Sequence, residues 1–240
     1  MRAILLAGGM GTRLRTVVQD TPKPMARVAG RPFLSHLLDY LERQGIAEVI
    51  VSVGYLRQQI IDAYGDQHGG ISIRYAIEEE PLGTGGGLRN ALGLVDEFPV
   101  FALNADTLVD IDYRKMLLAH EQEKVDLTIA LRRLADTGRY GRAVVENGRV
   151  VAFEAHGPGH AGLINAGVYL FSKNILQTGQ APAFSFERDF LEPQVQTLRP
   201  LAFEAEGYFI DIGVPEDYLR AQTELAPSRA RISAANLYSG

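Results

Sequence analysis

The sequence of 240 residues predicts an α/β fold: a mixed, mainly parallel sheet flanked by helices, with a small β-rich region in its second half. Three observations carry this expectation. Short apolar runs recur from the N-terminus and end in glycine or polar residues, as buried parallel strands do. Between them lie stretches with apolar residues at i, i+3, i+4 and i+7, one face of a helix. After residue 130 the alternation stops, and Asn147-Gly148 stands between two apolar runs, the strongest two-residue hairpin signal. An apolar fraction of 46% and a charged fraction of 22% are those of a globular chain. At roughly 100–200 residues per domain, one domain is expected over residues 1–225, its parts being 1–130 and 131–225, with a tail at 226–240.

Taken in order, residues 3–7 are wholly apolar and run into Gly8-Gly9, which reads as a first strand. Leu34, Leu37, Leu38 and Leu41 form one helical stripe, and Gly45 is placed to end it. Residues 49–53 are the next strand; Leu56, Ile60, Ala63 and Tyr64 mark a helix stopped by Gly65. A strand at 71–77, a glycine-laden helix at 84–95 and a strand at 98–103 follow. Asp112 is suited to cap a helix over 113–121, and 127–131 reads as strand. Strands alternating with helices imply β-α-β units and a parallel sheet. Beyond them come the hairpin 142–146 and 149–153 and strands at 164–171 and 201–210.

Composition excludes several classes of function. Cysteine is absent, which removes disulfides, thiolate metal sites and thiol nucleophiles. The apolar run at the N-terminus is shorter than the 7–15 residues of a signal-peptide core, so a cytoplasmic location without a membrane partner is expected. With 24 Lys plus Arg against 29 Asp plus Glu the net charge is −5, and no basic face for nucleic acid is expected.

In open α/β sheets ligands bind beyond the carboxyl ends of the strands, and the candidate residues are found there. Gly8-Gly9-Met10-Gly11-Thr12-Arg13-Leu14 follows the first strand, where successive backbone N–H groups can cradle phosphate. It fits neither the dinucleotide fingerprint, which wants Gly where Leu14 stands, nor a P-loop, which wants Gly-Lys-Ser/Thr. Its own feature is Arg13, a permanent cation inside the loop. Lys23 lies between Pro22 and Pro24, whose fixed φ angles stiffen the segment. Glu78-Glu79-Glu80 precedes Pro81-Leu82-Gly83; a carboxylate there can accept guanine N1–H and N2–H₂ together, whereas uracil offers one such donor. Asp106 and Asp211 each end an apolar run, where a carboxylate needs a cation partner, and two carboxylates suit Mg²⁺ shared with phosphate oxygens.

The loop 8–14 followed by Pro22-Lys23-Pro24-Met25 resembles the signature of the sugar-1-phosphate nucleotidyltransferases, and the likeness runs over residues 1–225. Within that family, residues 13–18 and Ser52-Val53-Gly54-Tyr55 resemble the D-glycero-α-D-manno-heptose 1-phosphate guanylyltransferases. The resemblance implies a Rossmann-like sheet of the nucleotide-diphospho-sugar transferase type with a β-rich sugar-binding region. It implies condensation of GTP with a heptose 1-phosphate to GDP-heptose and pyrophosphate, for surface polysaccharide. Mannose 1-phosphate guanylyl transfer, uridylyl transfer to another sugar, and a non-catalytic nucleotide-sugar binder are the alternatives. It implies Arg13, Lys23 and Asp106 as catalytic residues, and Mg²⁺ on Asp106 and Asp211. Nucleotide contacts would come from Leu6, Ala7, Gly8, Gly9, Gly11, Thr12, Glu80, Pro81 and Gly83, with Glu80 and Gly83 the choices by motif register. Sugar contacts would come from Gly141, Glu154, Asn165 and Gly167. The chain departs from the family twice: Ala105 stands where Gly is usual, and no lysine follows Glu154, leaving His156 as the nearest basic group. The partners are thus GTP and a sugar 1-phosphate, with a homodimer left open.

Overall fold

A computed structural model describes residues 1–9, 14, 20–155, 159–176 and 181–226. In chain order these form β1 (Arg2–Leu6), a 3-10 turn (Lys23–Met25), β2 (Arg27–Val28), β3 (Arg31–Pro32), α1 (Phe33–Arg43), β4 (Glu48–Val53), α2 (Arg57–Tyr64), β5 (Gln67–His68), β6 (Ile71–Ile77), α3 (Gly83–Leu92), β7 (Val100–Asn104), β8 (Thr107–Val109), α4 (Tyr113–Glu123) and β9 (Leu127–Leu134). The remainder comprises β10 (Arg142–Glu146), β11 (Arg149–Glu154), β12 (Gly162–Phe171), a π-helical turn (Phe186–Leu191), α5 (Glu192–Leu198), β13 (Leu201–Ala205), β14 (Phe209–Asp211) and α6 (Pro215–Glu224).

Ten strands make one sheet in the order β10-β11-β13-β9-β12-β7-β1-β4-β6-β5. The pairs β7-β1, β1-β4, β4-β6 and β13-β9 are parallel, and β12 runs antiparallel between β7 and β9. This is the mixed, mainly parallel α/β sheet that the alternating pattern predicts. The pleat sends neighbouring residues to opposite faces. Ala3 and Leu5 of β1 therefore enter an apolar layer with Phe33, Leu34, Leu37, Leu38 and Leu41 of α1. Ile4 enters the opposite layer with Leu88 and Leu92 of α3 and Phe186 and Phe190 of the π-helical turn. Each fully buried Leu, Ile or Phe side chain among these contributes about 1.5–3 kcal/mol. No helix among the described residues is long and apolar enough to cross a membrane.

Most expected elements stand within a few residues of their predicted bounds. Asp112 caps α4 by accepting from the Lys115 backbone N–H, and the Asn147-Gly148 turn has both φ angles positive, at 49° and 73°. One expected strand, at 201–210, is instead two. The chain breaks at Gly207, where a Cβ would lie 2.5 Å from Cβ of Asp110, and the Asp110 N–H donates to the Tyr208 carbonyl. That close approach pulls β14 off the main sheet and pairs it with β8, Asp211 opposite Thr107. The turn at 186–191 and helices α5 and α6 carry no stripe strong enough to announce them. The tail from 227 lies outside the described residues.

One buried polar cluster makes stability depend on pH. His120 of α4 is buried and shares hydrogen bonds of 2.7 Å with Thr128 Oγ1 and Ser172 Oγ. Burial lowers its pKa from 6.5, against a smaller opposing pull from Asp126. A folded-state pKa below the unfolded one means the unfolded chain binds the proton first. The contribution of His120 to stability is then complete above the unfolded value of about 6.5 and is lost as pH falls toward the folded one. Urea midpoints measured from about pH 7.5 to about pH 5 should fall, and the fall should be smaller in His120→Gln; an equal fall in both would remove His120 as its source.

Candidate active site

The carboxyl ends of β1, β6, β7 and β9, with the middle of the antiparallel β12, open on a cleft of about 830 Å³, within the usual range for small-molecule sites. Its walls include Leu6, Gly8 and Gly9 after β1, and Glu78, Pro81 and Gly83 between β6 and α3. Asn104 at the end of β7 and Asp106 after it lie between these and the Gly141, Glu154, Asn165 and Gly167 side. Ala7 is buried behind the wall, its N–H donating to the Ser52 carbonyl at 2.9 Å. Gly11, Thr12, Arg13 and His156 lie outside the described residues.

At the β6 end the acidic run is sorted by a bend. Glu80 is exposed and does not line the cleft, whereas Glu78 lines it and is buried. Chain reversal after β6 turns the Leu82 N–H back onto Glu78 Oε2 at 3.2 Å, and Ser52 Oγ donates to Oε1 at 2.7 Å. The carboxylate is wedged between glycines: a Cβ on Gly8 would lie 2.2 Å from Oε1, and one on Gly87 would lie 2.7 Å from it. Motif register pointed to Glu80; side-chain placement favours Glu78 as the acceptor facing the cleft. Glu78 and Glu80 share strand parity, so alternation could not separate them.

The metal-candidate carboxylates are brought together as the sequence implied. Asp106 ends the turn from β7 into β8, and its carbonyl accepts from the Ile212 N–H at 3.0 Å, tying it to the strand that ends at Asp211. Lys23, from the proline-flanked 3-10 turn, reaches across and donates to Asp106 Oδ2 in a half-buried ion pair. Asp211 accepts the Gly213 N–H at 2.7 Å. Burial, and then the charge of Asp106, hold the Asp211 carboxyl above its usual range; Lys23 and Arg139 pull the other way. A buried carboxyl whose ionisation a neighbouring charge opposes is one that a divalent cation relieves. Among the described residues no group of three or more His, Cys, Asp or Glu forms a metal cage. A pair of carboxylates completed by reactant phosphates is the usual Mg²⁺ arrangement, so the residues fit that ion. Ala105 is fully buried and donates to the Leu6 carbonyl at 3.2 Å, so the methyl is accommodated.

On the other side, β12 shifts register between Asn165 and Tyr169. Gly167 lies there with φ +71°, and a Cβ would meet Asn104 Nδ2 at 2.6 Å, so only glycine allows this approach. Asn165 accepts from the Gly167 N–H at 3.0 Å and donates to the Tyr169 hydroxyl at 2.8 Å. Glu154 holds Arg142 at 2.6 Å. Glu187 was missed from sequence. It lines the cleft and accepts from Thr84 Oγ1 at 2.7 Å and the Tyr169 hydroxyl at 3.2 Å. The signal was the Ser185 cap ahead of Phe186 and Phe190. Arg139 also lines the cleft.

Known proteins resemble this chain along nearly its whole length. The family described as Nucleotidyl transferase matches residues 2–228. The chain is 45% identical over 226 residues to the D-glycero-alpha-D-manno-heptose 1-phosphate guanylyltransferase of Aneurinibacillus thermoaerophilus, covering 94% of this chain and 98% of that one. It is 35% identical to the mannose-1-phosphate guanylyltransferase of Mycobacterium tuberculosis over 95% of this chain and 66% of that protein. The crystal structure of HddC from Yersinia pseudotuberculosis complexed with GMP-PN superposes with a TM-score of 0.84 at 38% identity, covering 93% of this chain and 99% of that one. With a family model matching residues 2–228 and 45% identity to a relative along nearly its whole length, the chain belongs to the nucleotidyl transferase family.

Proposed function

We propose that the protein is a guanylyltransferase that joins GTP to D-glycero-α-D-manno-heptose 1-phosphate, giving GDP-heptose and pyrophosphate for surface polysaccharide. The observation that carries the nucleotide is Glu78, a buried acceptor-only carboxylate facing the cleft. A carboxylate has about four acceptor sites, of which Ser52 and Leu82 take two, and guanine alone among the usual bases offers adjacent N1–H and N2–H₂ donors. Identity of 45% to a heptose 1-phosphate guanylyltransferase supports the sugar. The second reading is mannose 1-phosphate, favoured by the 35% identity to a mannose-1-phosphate guanylyltransferase.

In this mechanism a phosphate oxygen of the sugar 1-phosphate attacks the α-phosphorus of GTP in line, and pyrophosphate leaves. The attacking group is already anionic, so positioning and charge neutralisation do the catalysis and no side-chain base is needed. The backbone at Gly8 and Gly9 cradles the phosphates, and Lys23 offsets charge as the reactants approach. Arg13 keeps the role its motif implies, gripping the departing pyrophosphate through its planar fork. Asp106 and Asp211 would hold Mg²⁺, which would supply charge neutralisation for the reacting phosphates. Asn165 and Gly167 orient the sugar.

A pyrophosphate-release panel crossing GTP, UTP, dTTP and ATP with heptose, mannose and glucose 1-phosphates tests the reading. The heptose compound with GTP should give the highest kcat/KM. In Glu78→Gln the preference for GTP over UTP should fall about 10–100-fold, the worth of a bond to a charged acceptor. A wild-type preference for UTP would overturn the nucleotide assignment.

A further inference from the structure

The cleft is acidic for a site that must hold two anions. Among the described residues lining it, Glu78, Asp106, Glu154, Glu187 and Glu192 carry carboxylates, and Arg139 alone a cation. Lys23 reaches the site already joined to Asp106. Arg139 follows β9, and strand order puts β9 on the opposite side of β7 from β6 and its base-facing Glu78. Its place is therefore the sugar half of the cleft, beside Asp211.

The backbone around Arg139 is pinned on both sides. Thr137 is fully buried, and its N–H and hydroxyl both donate to the His160 carbonyl, at 2.9 and 3.0 Å. The N–H groups of Tyr140 and Gly141 return to the Thr137 carbonyl at 2.9 and 3.0 Å. The guanidinium carbon lies 4.5 Å from the centre of the Tyr140 ring. Nη2 is 2.5 Å from Asp217 and 3.5 Å from Asp211, and it also donates to the Tyr140 hydroxyl. These contacts all run through one nitrogen, and a guanidinium carries two more in the same plane. Asp217, in the first turn of α6 and 13% exposed, also binds Arg220 at 3.0 Å and so is itself held in place.

We propose that Arg139 is the cation that receives the phosphate of the sugar 1-phosphate beside Asp211, and that Asp217 is the residue that positions it. The inference rests on the reading of the cleft as a sugar-1-phosphate nucleotidyl transfer site and adds to it the group that binds the second reactant. A planar fork clamped at one nitrogen presents its remaining donors in a fixed direction, which suits a phosphate monoester better than a mobile lysine would.

The test is steady-state kinetics of Arg139→Gln, Arg139→Lys and Asp217→Asn with thermal melts, using whichever sugar 1-phosphate the wild-type enzyme turns over best. Arg139→Gln should raise KM for the sugar 1-phosphate about 10–100-fold and leave KM for GTP within about twofold of wild type. Arg139→Lys should recover part of the loss, and Asp217→Asn should raise the same KM by a smaller factor with the melting temperature kept. An unchanged sugar-phosphate KM in Arg139→Gln, or an equal rise for GTP, overturns the assignment. Should Arg139→Gln fail to fold, a wild-type KM in Arg139→Lys together with one in Asp217→Asn would overturn it instead. A preference for mannose 1-phosphate would sink the heptose reading and leave this assay intact. A wild-type enzyme that releases no pyrophosphate with any pair would remove both.

Discussion

Asp106→Ala is expected to lower kcat about 10²–10³-fold, the usual loss when one charge-stabilising group is removed from a dry site. The variant should still fold. Asp106 contributes its backbone carbonyl, not its carboxylate, to the bond with the Ile212 N–H, and its side chain is 28% exposed. What disappears is one of the two carboxylates proposed to hold Mg²⁺ and the partner that aims Lys23. Mg²⁺ at half-maximal rate should rise together with the fall in kcat, and Asp211→Asn should show the same pair of changes. A kcat close to wild type in Asp106→Ala, measured as pyrophosphate release at saturating Mg²⁺, would remove the metal assignment.

Phe101→Ala is expected to destabilise the fold by about 3–5 kcal/mol, lowering Tm by roughly 6–20 °C for a chain of this size. Phe101 is 1% exposed on β7, a central strand, and meets the Tyr113 ring edge-on with centroids 4.9 Å apart. Tyr113 in turn meets Tyr40, which donates to the Ile111 carbonyl at 2.9 Å. Truncation leaves a ring-sized hole that neither tyrosine can fill without giving up its own contacts. A Tm within about 2 °C of wild type would mean that α4 collapses onto β7 and closes the hole.

Much of the candidate site's position in the fold was legible because its residues lie in short local motifs. Glycines after β1 and a carboxylate after β7 each sit at one strand end, and a lysine between two prolines opens the 3-10 turn that follows β1 in the chain. A parallel sheet gathers such ends on one edge, so naming the strands names the rim. Glu78 was harder. It and Glu80 differ only in which side of a bend they fall, and the bend is set by the Leu82 N–H returning to Glu78 and by the glycines that admit its carboxylate. Glu187 and Arg139 belong to segments without strong periodicity; packing of Phe186 against Tyr169, and the bonds of Thr137 to His160, hold them in place.

From sequence alone come the alternating apolar runs that make a mainly parallel sheet, the Asn147-Gly148 hairpin and the glycine-lysine pair of loops that points to the family. These depend on residues close together in the chain, where backbone geometry and the period of burial leave few choices. Only the folded chain decides that β14 leaves the main sheet to pair with β8, bringing Asp211 to Asp106, and that Arg139 meets Asp217 beside them. Those neighbours are separated by tens to about a hundred residues. Their meeting is set by which apolar faces pack together and by a close approach such as Gly207 to Asp110, and neither leaves a mark in any short stretch of sequence.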